Sequence, residues 1–183
     1  KPWCPKASDN PNLVEFILSV RGQALNEPTN KYGDWAVYGL ADKDTYYYRG
    51  AFMDLVRAID FICSRHEVDK RNIFAEGGSQ GGAFTFAACA LDHRIRAAAP
   101  WIPFLSDYPD YFKIVHWPGD RILAKAKDLG ISDEQLYKTL SYFDIMNLAG
   151  WIKCPILMGS GLQDPTCPPH INFAAFNQVK EEK

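Results

Sequence analysis

The sequence predicts a doubly wound α/β domain, and three observations support that prediction. Short apolar runs typical of buried strands recur along the 183 residues, and segments of helical length separate them. A glycine-rich turn joins one of these runs directly to the segment that follows it. Strands that alternate with helices in this way form a parallel sheet with helices on both faces. The length suits one domain with a sizeable core, so we expect residues 1–183 to form a single domain.

Each predicted strand is short and apolar. The runs are LVEFILSV (13–20), RNIFAE (71–76), IRAAAP (95–100) and CPILMGSG (154–161). Nearly continuous apolar runs such as the first are typical of strands that are buried on both faces of a parallel sheet. Residues 48–66 place apolar side chains at helical spacing, and the small residues of GGAFTFAACAL (81–91) predict a second helix.

The interval 101–147 breaks this alternation because it is long, aromatic and helical in pattern. Within it, SDEQLYKTL (132–140) predicts a helix that Ser132 caps, since acidic residues follow the serine in the first turn. We therefore expect a helical insertion over one end of the sheet.

Composition disfavours several classes of function. The net charge of -2 offers no electrostatic footprint for nucleic acid or an anionic membrane. The longest apolar runs are shorter than the roughly 20 residues that span a bilayer. The five cysteines form no CxxC pair and no histidine lies at zinc-finger spacing, so we expect reduced thiols, no metal and no cofactor. An odd number of free cysteines favours the cytoplasm. The localisation stays open because Lys1 need not be the natural N-terminus.

Four glycines surround one serine and one glutamine in GGSQGG (77–82), between a predicted strand and a predicted helix. A G-x-S-x-G sequence at such a turn is typical of a nucleophile elbow. The turn projects the Ser79 hydroxyl toward substrate and needs nearly side-chain-free residues at Gly77 and Gly81. The backbone N–H of Gln80 then points at the developing oxyanion. A turn used only for packing or for phosphate is the alternative, and no phosphate-binding glycine pattern is present.

A serine nucleophile needs a base and an acid that orients the base. Asp164 follows the last predicted strand in a proline-rich loop, where we expect the acid, and a simple turn residue is the alternative. The only later histidine, His170, comes too soon after it to be carried back over the serine on another strand. The remaining histidines lie in connections or in the insertion, where a surface or structural role is favoured: His66, His93 and His116. The sequence therefore lacks an evident base.

Several segments together resemble carbohydrate esterase family seven, the acetyl xylan esterases and cephalosporin C deacetylases of the α/β-hydrolase superfamily. In the family's order, they are SVRGQ (19–23), GGSQGG (77–82), PFLSDY (103–108), YFDIMNLA (142–149), GLQDPTCPP (161–169) and FAAFN (173–177). The resemblance implies an α/β-hydrolase core with Ser79 as nucleophile, the Gln80 N–H as an oxyanion donor and Asp164 as acid. It also implies that the insertion walls a small acetyl pocket near Trp117 and Pro118.

The activity that the resemblance implies is a cofactor-free serine esterase. Such an enzyme removes acetyl groups, through an acyl-enzyme, from short xylo-oligosaccharides or from esters such as cephalosporin C. Family members commonly form hexamers, so a homo-oligomer is implied. The family's histidine and its second oxyanion donor have no counterpart here, which predicts that residues 1–183 are an incomplete piece of a longer esterase. The alternatives are an α/β-hydrolase peptidase of the prolyl oligopeptidase type and a catalytically dead domain that binds glycans or serves assembly.

Overall fold

Helices and strands alternate in the computed structural model, which describes residues 9–23 and 30–183. In chain order the elements are α1 (Tyr47–Ser64), β1 (Ile73–Gly78), α2 (Gln80–Leu91), β2 (Ile95–Trp101), α3 (Tyr108–Ile114), α4 (Gly119–Asp128), α5 (Asp133–Ser141), α6 (Ile145–Leu148) and α7 (Pro169–Phe176). The predicted helices at 48–66 and 81–91 and the predicted strands at 71–76 and 95–100 are confirmed. Their ends differ from α1, α2, β1 and β2 by two residues or fewer.

The sheet is parallel, and β2 lies at its centre. β1 pairs with β2 along its whole length, with Gly78 opposite Trp101 at the carboxyl end. On the other side of β2, residues 155–159 run parallel to it through bridges at Ile156 and Gly159. Backbone hydrogen bonds hold this segment, including Leu157 N to Ala98 O at 2.9 Å. The predicted strand at 154–161 is therefore a shorter paired segment, and the carboxyl ends of all three runs meet at one edge.

The predicted strand at 13–20 is wrong for the described part of the chain. These residues form no strand, and Leu13, Val14 and Ile17 are 49%, 60% and 52% exposed. The run lies partly against the outer face of α1, where the Phe16 and Phe61 rings are 5.6 Å apart. An apolar run becomes a buried strand only when a neighbouring strand pairs with it and helices cover its faces. The described sheet, formed by β1, β2 and residues 155–159, does not include this run.

The core is built around α2, which packs on both strands and is buried along most of its length. Its lack of a polar face, which the small residues at 81–91 imply, is typical of an enclosed helix. A cluster of aromatic rings joins α1, α2 and the chain after α5. Its edge-to-face contacts link Tyr48, Phe52, Phe84 and Phe143 at centroid separations of 5.7–6.2 Å. These contacts hold the chain after α5 against α1, and α1 against α2.

Helices α3 to α6 occupy the interval predicted as an insertion. The predicted cap of α5 is confirmed, because the Ser132 hydroxyl oxygen accepts the Gln135 N–H at 3.2 Å. That residues 1–183 form one incomplete domain stays a prediction. Within the described ranges, none of the helices combines the length and the hydropathy that a bilayer crossing demands.

Candidate functional site

Ser79 occupies the turn between β1 and α2 with a strained backbone. Its φ of 54° and ψ of -116° lie in a region that non-glycine residues rarely adopt, at a cost of roughly 1–3 kcal/mol. The last residue of β2 and the chain after it both hydrogen-bond to its backbone. The Ser79 N–H donates to the Trp101 carbonyl at 3.0 Å, and its own carbonyl accepts the Phe104 N–H at 3.1 Å. The residue itself is exposed, so its hydroxyl is accessible at the carboxyl edge of the sheet.

The glycines of this turn serve two close backbone approaches. A Cβ at Gly77 would lie 2.5 Å from the Gly81 carbonyl oxygen. A Cβ at Gly82 would lie 2.5 Å from the Trp101 carbonyl oxygen, whereas a Cβ at Gly81 would meet open space. The structure therefore requires glycine at position 77, before Ser79, as predicted. After Ser79 the need falls at Gly82 rather than at Gly81, because Gly82 is where α2 passes under the end of β2.

Gln80 begins α2 and is held by its side chain. Its Nε2 donates to the hydroxyl of Tyr48, a fully buried residue of α1, at 3.0 Å. The N–H of the first helical residue has no carbonyl partner within the helix. The N-terminal end of a helix also favours developing negative charge. The geometry of Gln80 is therefore suited to the predicted oxyanion contact, and that role stays a prediction.

The Asp164 loop reaches the Ser79 hydroxyl through Cys167. Asp164 is half-buried, and its Oδ1 accepts the N–H groups of Thr166 and Cys167, both at 2.8 Å. This turn places the Cys167 Sγ 3.8 Å from the Ser79 Oγ. Burial raises the pKa of the Cys167 thiol to about 11, so it is a neutral thiol near pH 7. The structure therefore brings the predicted nucleophile and the loop of the predicted acid together.

No histidine among residues 9–23 and 30–183 makes a hydrogen bond to Ser79 or Asp164. His170 instead contacts the Asp110 carboxylate at 2.9 Å on the surface. His116 pairs with its neighbour Asp120 at 3.3 Å. His66 and His93 are exposed. Among the described residues, no histidine therefore lies in the position that the predicted base would occupy, and the identity of the base stays open.

Two other surface features lie away from this arrangement. Asp107, Asp110 and His170 bring ligand atoms within 4.8 Å of one another, the spacing a metal ion needs. Such exposed acidic groups are common without an ion. An open cleft of about 650 Å³ lies between α1 and the 16–22 run, and Ser79 does not line it. The predicted nucleophile elbow is at Ser79, so we place the candidate site there and not in this cleft.

The predicted pocket residues differ in exposure. Trp117 is 64% exposed, and its ring centroid lies 5.8 Å from the Arg121 guanidinium carbon. Pro118 is buried directly before α4. Their place in an acetyl pocket stays a prediction.

The RGQ residues at 21–23 pack on α1. Arg21 Nε donates to the Asp54 carboxylate at 2.8 Å, and this ion pair raises the pKa of the guanidinium further above its usual range. Tyr47 accepts a hydrogen bond from the Gln23 amide at 2.9 Å and donates to the Arg21 carbonyl at 2.7 Å. These contacts anchor the segment, and none of them involves Ser79.

Asp144, which the sequence pattern did not single out as a functional residue, fixes the chain between β2 and α3. In this segment the backbone φ is positive at Ile102 (37°), Leu105 (57°) and Asp107 (49°). The buried Asp144 carboxylate accepts the N–H groups of Asp107 at 3.0 Å and Tyr108 at 3.2 Å. Burial raises the pKa of Asp144 to about 6, against the opposing effect of these bonds. An aspartate within the apolar segment YFDIMNLA was the available signal for this role.

Comparison with known proteins identifies the family. Residues 12–183 match the family model described as acetyl xylan esterase. The acetyl esterase Axe7A of Xylanibacter ruminicola is 33% identical over 145 residues, which are 79% of this chain and 32% of that protein.

Two solved structures of acetyl xylan esterases superpose on this chain. The enzyme from Paenibacillus sp. R4 gives a TM-score of 0.78 at 42% identity, over 81% of this chain and 48% of its own. The enzyme from Thermoanaerobacterium sp. JW/SL YS485 gives 0.72 at 31% identity, over 90% and 51%. This chain spans about half the length of these structures and 32% of the curated relative. Its fold is an α/β-hydrolase core, and the chain belongs to the acetyl xylan esterase family.

Proposed function

We propose that the protein carrying this chain is a serine esterase that removes acetyl groups from small acetylated carbohydrates such as xylo-oligosaccharides. Ser79 is the nucleophile, the Gln80 N–H donates to the oxyanion, and Asp164 is the acid. The observation that carries the proposal is the strained Ser79 turn with the Asp164 loop at its hydroxyl, 3.8 Å away through Cys167. Two of the three relatives are named for acetylated xylan and the third for acetyl esters.

The reaction follows from the positions of these groups. The Ser79 Oγ attacks the acetyl carbonyl carbon while its proton passes to a base, and the carbonyl oxygen takes negative charge beside the Gln80 N–H. The ester C–O bond then breaks, and the sugar leaves as an alcohol with that proton. Water hydrolyses the acetyl-serine to acetate and free enzyme. The base is a histidine that the described residues do not provide, and the Asp164 carboxylate orients it.

Membership of the acetyl xylan esterase family favours the esterase over a related peptidase.

We also propose that the protein forms a homo-oligomer and resides in a reducing compartment. Large apolar side chains on the sheet are exposed, including Phe74 at 60% and Leu157 at 74%. The four cysteines that the structure describes are free thiols, which favours the cytoplasm.

Acetate release from acetylated xylo-oligosaccharides and from p-nitrophenyl acetate tests the proposal on the full-length protein that carries this chain. Ser79→Ala is expected to lower kcat on the order of 10⁴-fold or more, because the nucleophile is lost. Ser141→Ala, at an exposed serine on α5, is the matched control and leaves turnover unchanged. Full turnover by the Ser79→Ala variant contradicts the assignment of the nucleophile. Binding of acetylated glycans without any acetate release by the wild type instead supports the catalytically dead alternative.

A further inference from the structure

The first turn of α7 carries a buried amide that the proposed chemistry does not use. Asn172 has no exposed surface, although asparagine is usually exposed in folded proteins. Its Nδ2 donates to the Pro103 carbonyl oxygen at 2.8 Å, and its Oδ1 accepts the Ser160 hydroxyl at 2.8 Å. The carbonyl of Pro103 can only accept, so the nitrogen end of the amide must face it. Both ends of the side chain are therefore engaged, each by a different part of the chain.

The nitrogen end of the amide leads to the nucleophile. Pro103 precedes Phe104, whose N–H donates to the Ser79 carbonyl at 3.1 Å. This stretch follows Ile102, which is held at positive φ. Strained backbone of this kind persists only where surrounding contacts hold it. The Asn172 bond to Pro103 is one such contact, directly beside the turn that presents the serine.

The oxygen end of the amide leads to the acid. Ser160 directly follows the segment 155–159 that pairs with β2, and it precedes the loop that contains Asp164. A second contact from the same helical turn strengthens the link, because the buried Ser106 hydroxyl donates to the Ile171 carbonyl at 2.7 Å. The first turn of α7 thus connects the chain that supports Ser79 with the chain that carries Asp164.

We propose that Asn172 is a positioning residue that sets the placement of the Asp164 loop relative to the Ser79 turn. The proposal rests on the proposed function, since it assigns Asn172 a role through those two residues. Asn172 is buried and makes its contacts with protein groups, so it acts on the rate of reaction and not on the binding of the acetyl ester. A misplacement of about 1 Å in a catalytic group can lower a rate on the order of 10²-fold.

Steady-state kinetics on p-nitrophenyl acetate with the full-length protein test this role. Asn172→Leu keeps the branched shape of the side chain and removes both hydrogen bonds. We expect kcat to fall between about tenfold and 10²-fold while KM stays within about twofold. Asn177→Leu makes the same change at the exposed far end of α7 and is expected to leave both constants within about twofold. A folded Asn172→Leu variant with kcat within twofold of the wild type overturns the proposal.

Ser160→Ala removes only the contact on the acid side, so it keeps the inference testable if Asn172→Leu fails to fold. We expect a several-fold loss of kcat, with no additional loss when Ser160→Ala is combined with Asn172→Leu, since both changes break one link. Unchanged kcat in Ser160→Ala, or fully additive losses in the double variant, overturns the proposal.

The Ser79→Ala variant distinguishes failure of the proposed function from failure of this inference alone. If it retains full turnover, the proposed function fails and this inference with it. If it abolishes turnover while Asn172→Leu does not lower kcat, this inference alone fails.

Discussion

Two apolar runs, at 13–20 and in β1 (Ile73–Gly78), differ in whether a neighbouring strand pairs with them. Ile73, in β1, is 6% exposed, because β2 pairs with that strand and α2 covers it. Ile17, in the earlier run, is 52% exposed and belongs to no strand of the described sheet. The comparison teaches that an apolar pattern indicates a tendency toward burial, whereas a paired strand and a covering helix decide which side chains are buried: Ile73 is buried, and Phe74 of the same strand is 60% exposed.

The largest expected effect is a difference in stability between these two runs. Ile73→Ala should lower the free energy of unfolding of the 183-residue chain by about 2–5 kcal/mol, because it leaves a cavity in the core. Ile17→Ala is the matched change and should lower it by less than about 0.5 kcal/mol. Urea unfolding followed by circular dichroism measures both. An equal loss in the full-length protein would break the comparison, since it would show that other residues cover the run there.

Burial of a polar group, Asp144, makes the stability of the protein depend on pH. Its pKa of about 6 lies above the value of about 3.9 for an unfolded aspartate, so the folded state binds the proton more tightly. Its stabilising contribution is therefore complete below about pH 4 and is lost as the pH rises through about 6. The free energy of unfolding of the wild type, relative to Asp144→Asn, should fall by roughly 2–3 kcal/mol between pH 4 and pH 7. Urea titrations across this range measure the difference, and a constant difference would contradict the prediction.

Substitutions in the glycine turn after β1 test how closely the end of that strand packs against the start of α2. Gly77→Ala should lower the free energy of unfolding by about 1–3 kcal/mol, since the new Cβ meets the Gly81 carbonyl. Gly81→Ala places a methyl group in open space on a helix and should cause no loss. Thermal unfolding of the two variants measures this. Equal losses at the two positions would show that the backbone approach at Gly77 is looser than the structure has it.

The smallest expected effect is a shift in the self-association of the 183-residue chain. The exposed apolar run and the exposed apolar side chains of the sheet should cause the 183-residue chain to associate at micromolar concentration. Val14→Lys with Ile17→Lys should shift the sedimentation profile toward monomer. Asn177→Lys with Gln178→Lys adds the same charge at exposed polar positions and should not. A monodisperse wild-type monomer would contradict the prediction.

Local patterns predicted several of the helices and strands of the described residues. The four confirmed elements and the Ser132 cap depend on residues that are close in sequence, so spacing and capping chemistry were sufficient. The G-x-S-x-G turn likewise combines a strand end, close backbone approaches and a helix start within a few residues. The prediction of a strand at 13–20 was wrong because an apolar run is equally compatible with a strand that has pairing partners and with a segment that lacks them.

The sequence by itself determined the α/β class, the strained turn at Ser79 and the family to which the chain belongs. Only the tertiary structure brought Cys167 to the Ser79 hydroxyl, buried Asp144 beneath the chain after β2, and joined Pro103 to Ser160 through Asn172. The physical reason is separation along the chain. Contacts within one or two turns are specified by neighbouring residues, whereas contacts between distant residues depend on how the sheet and helices pack. The candidate site required both, because the turn at the proposed nucleophile is a local feature and the placement of the proposed acid is not.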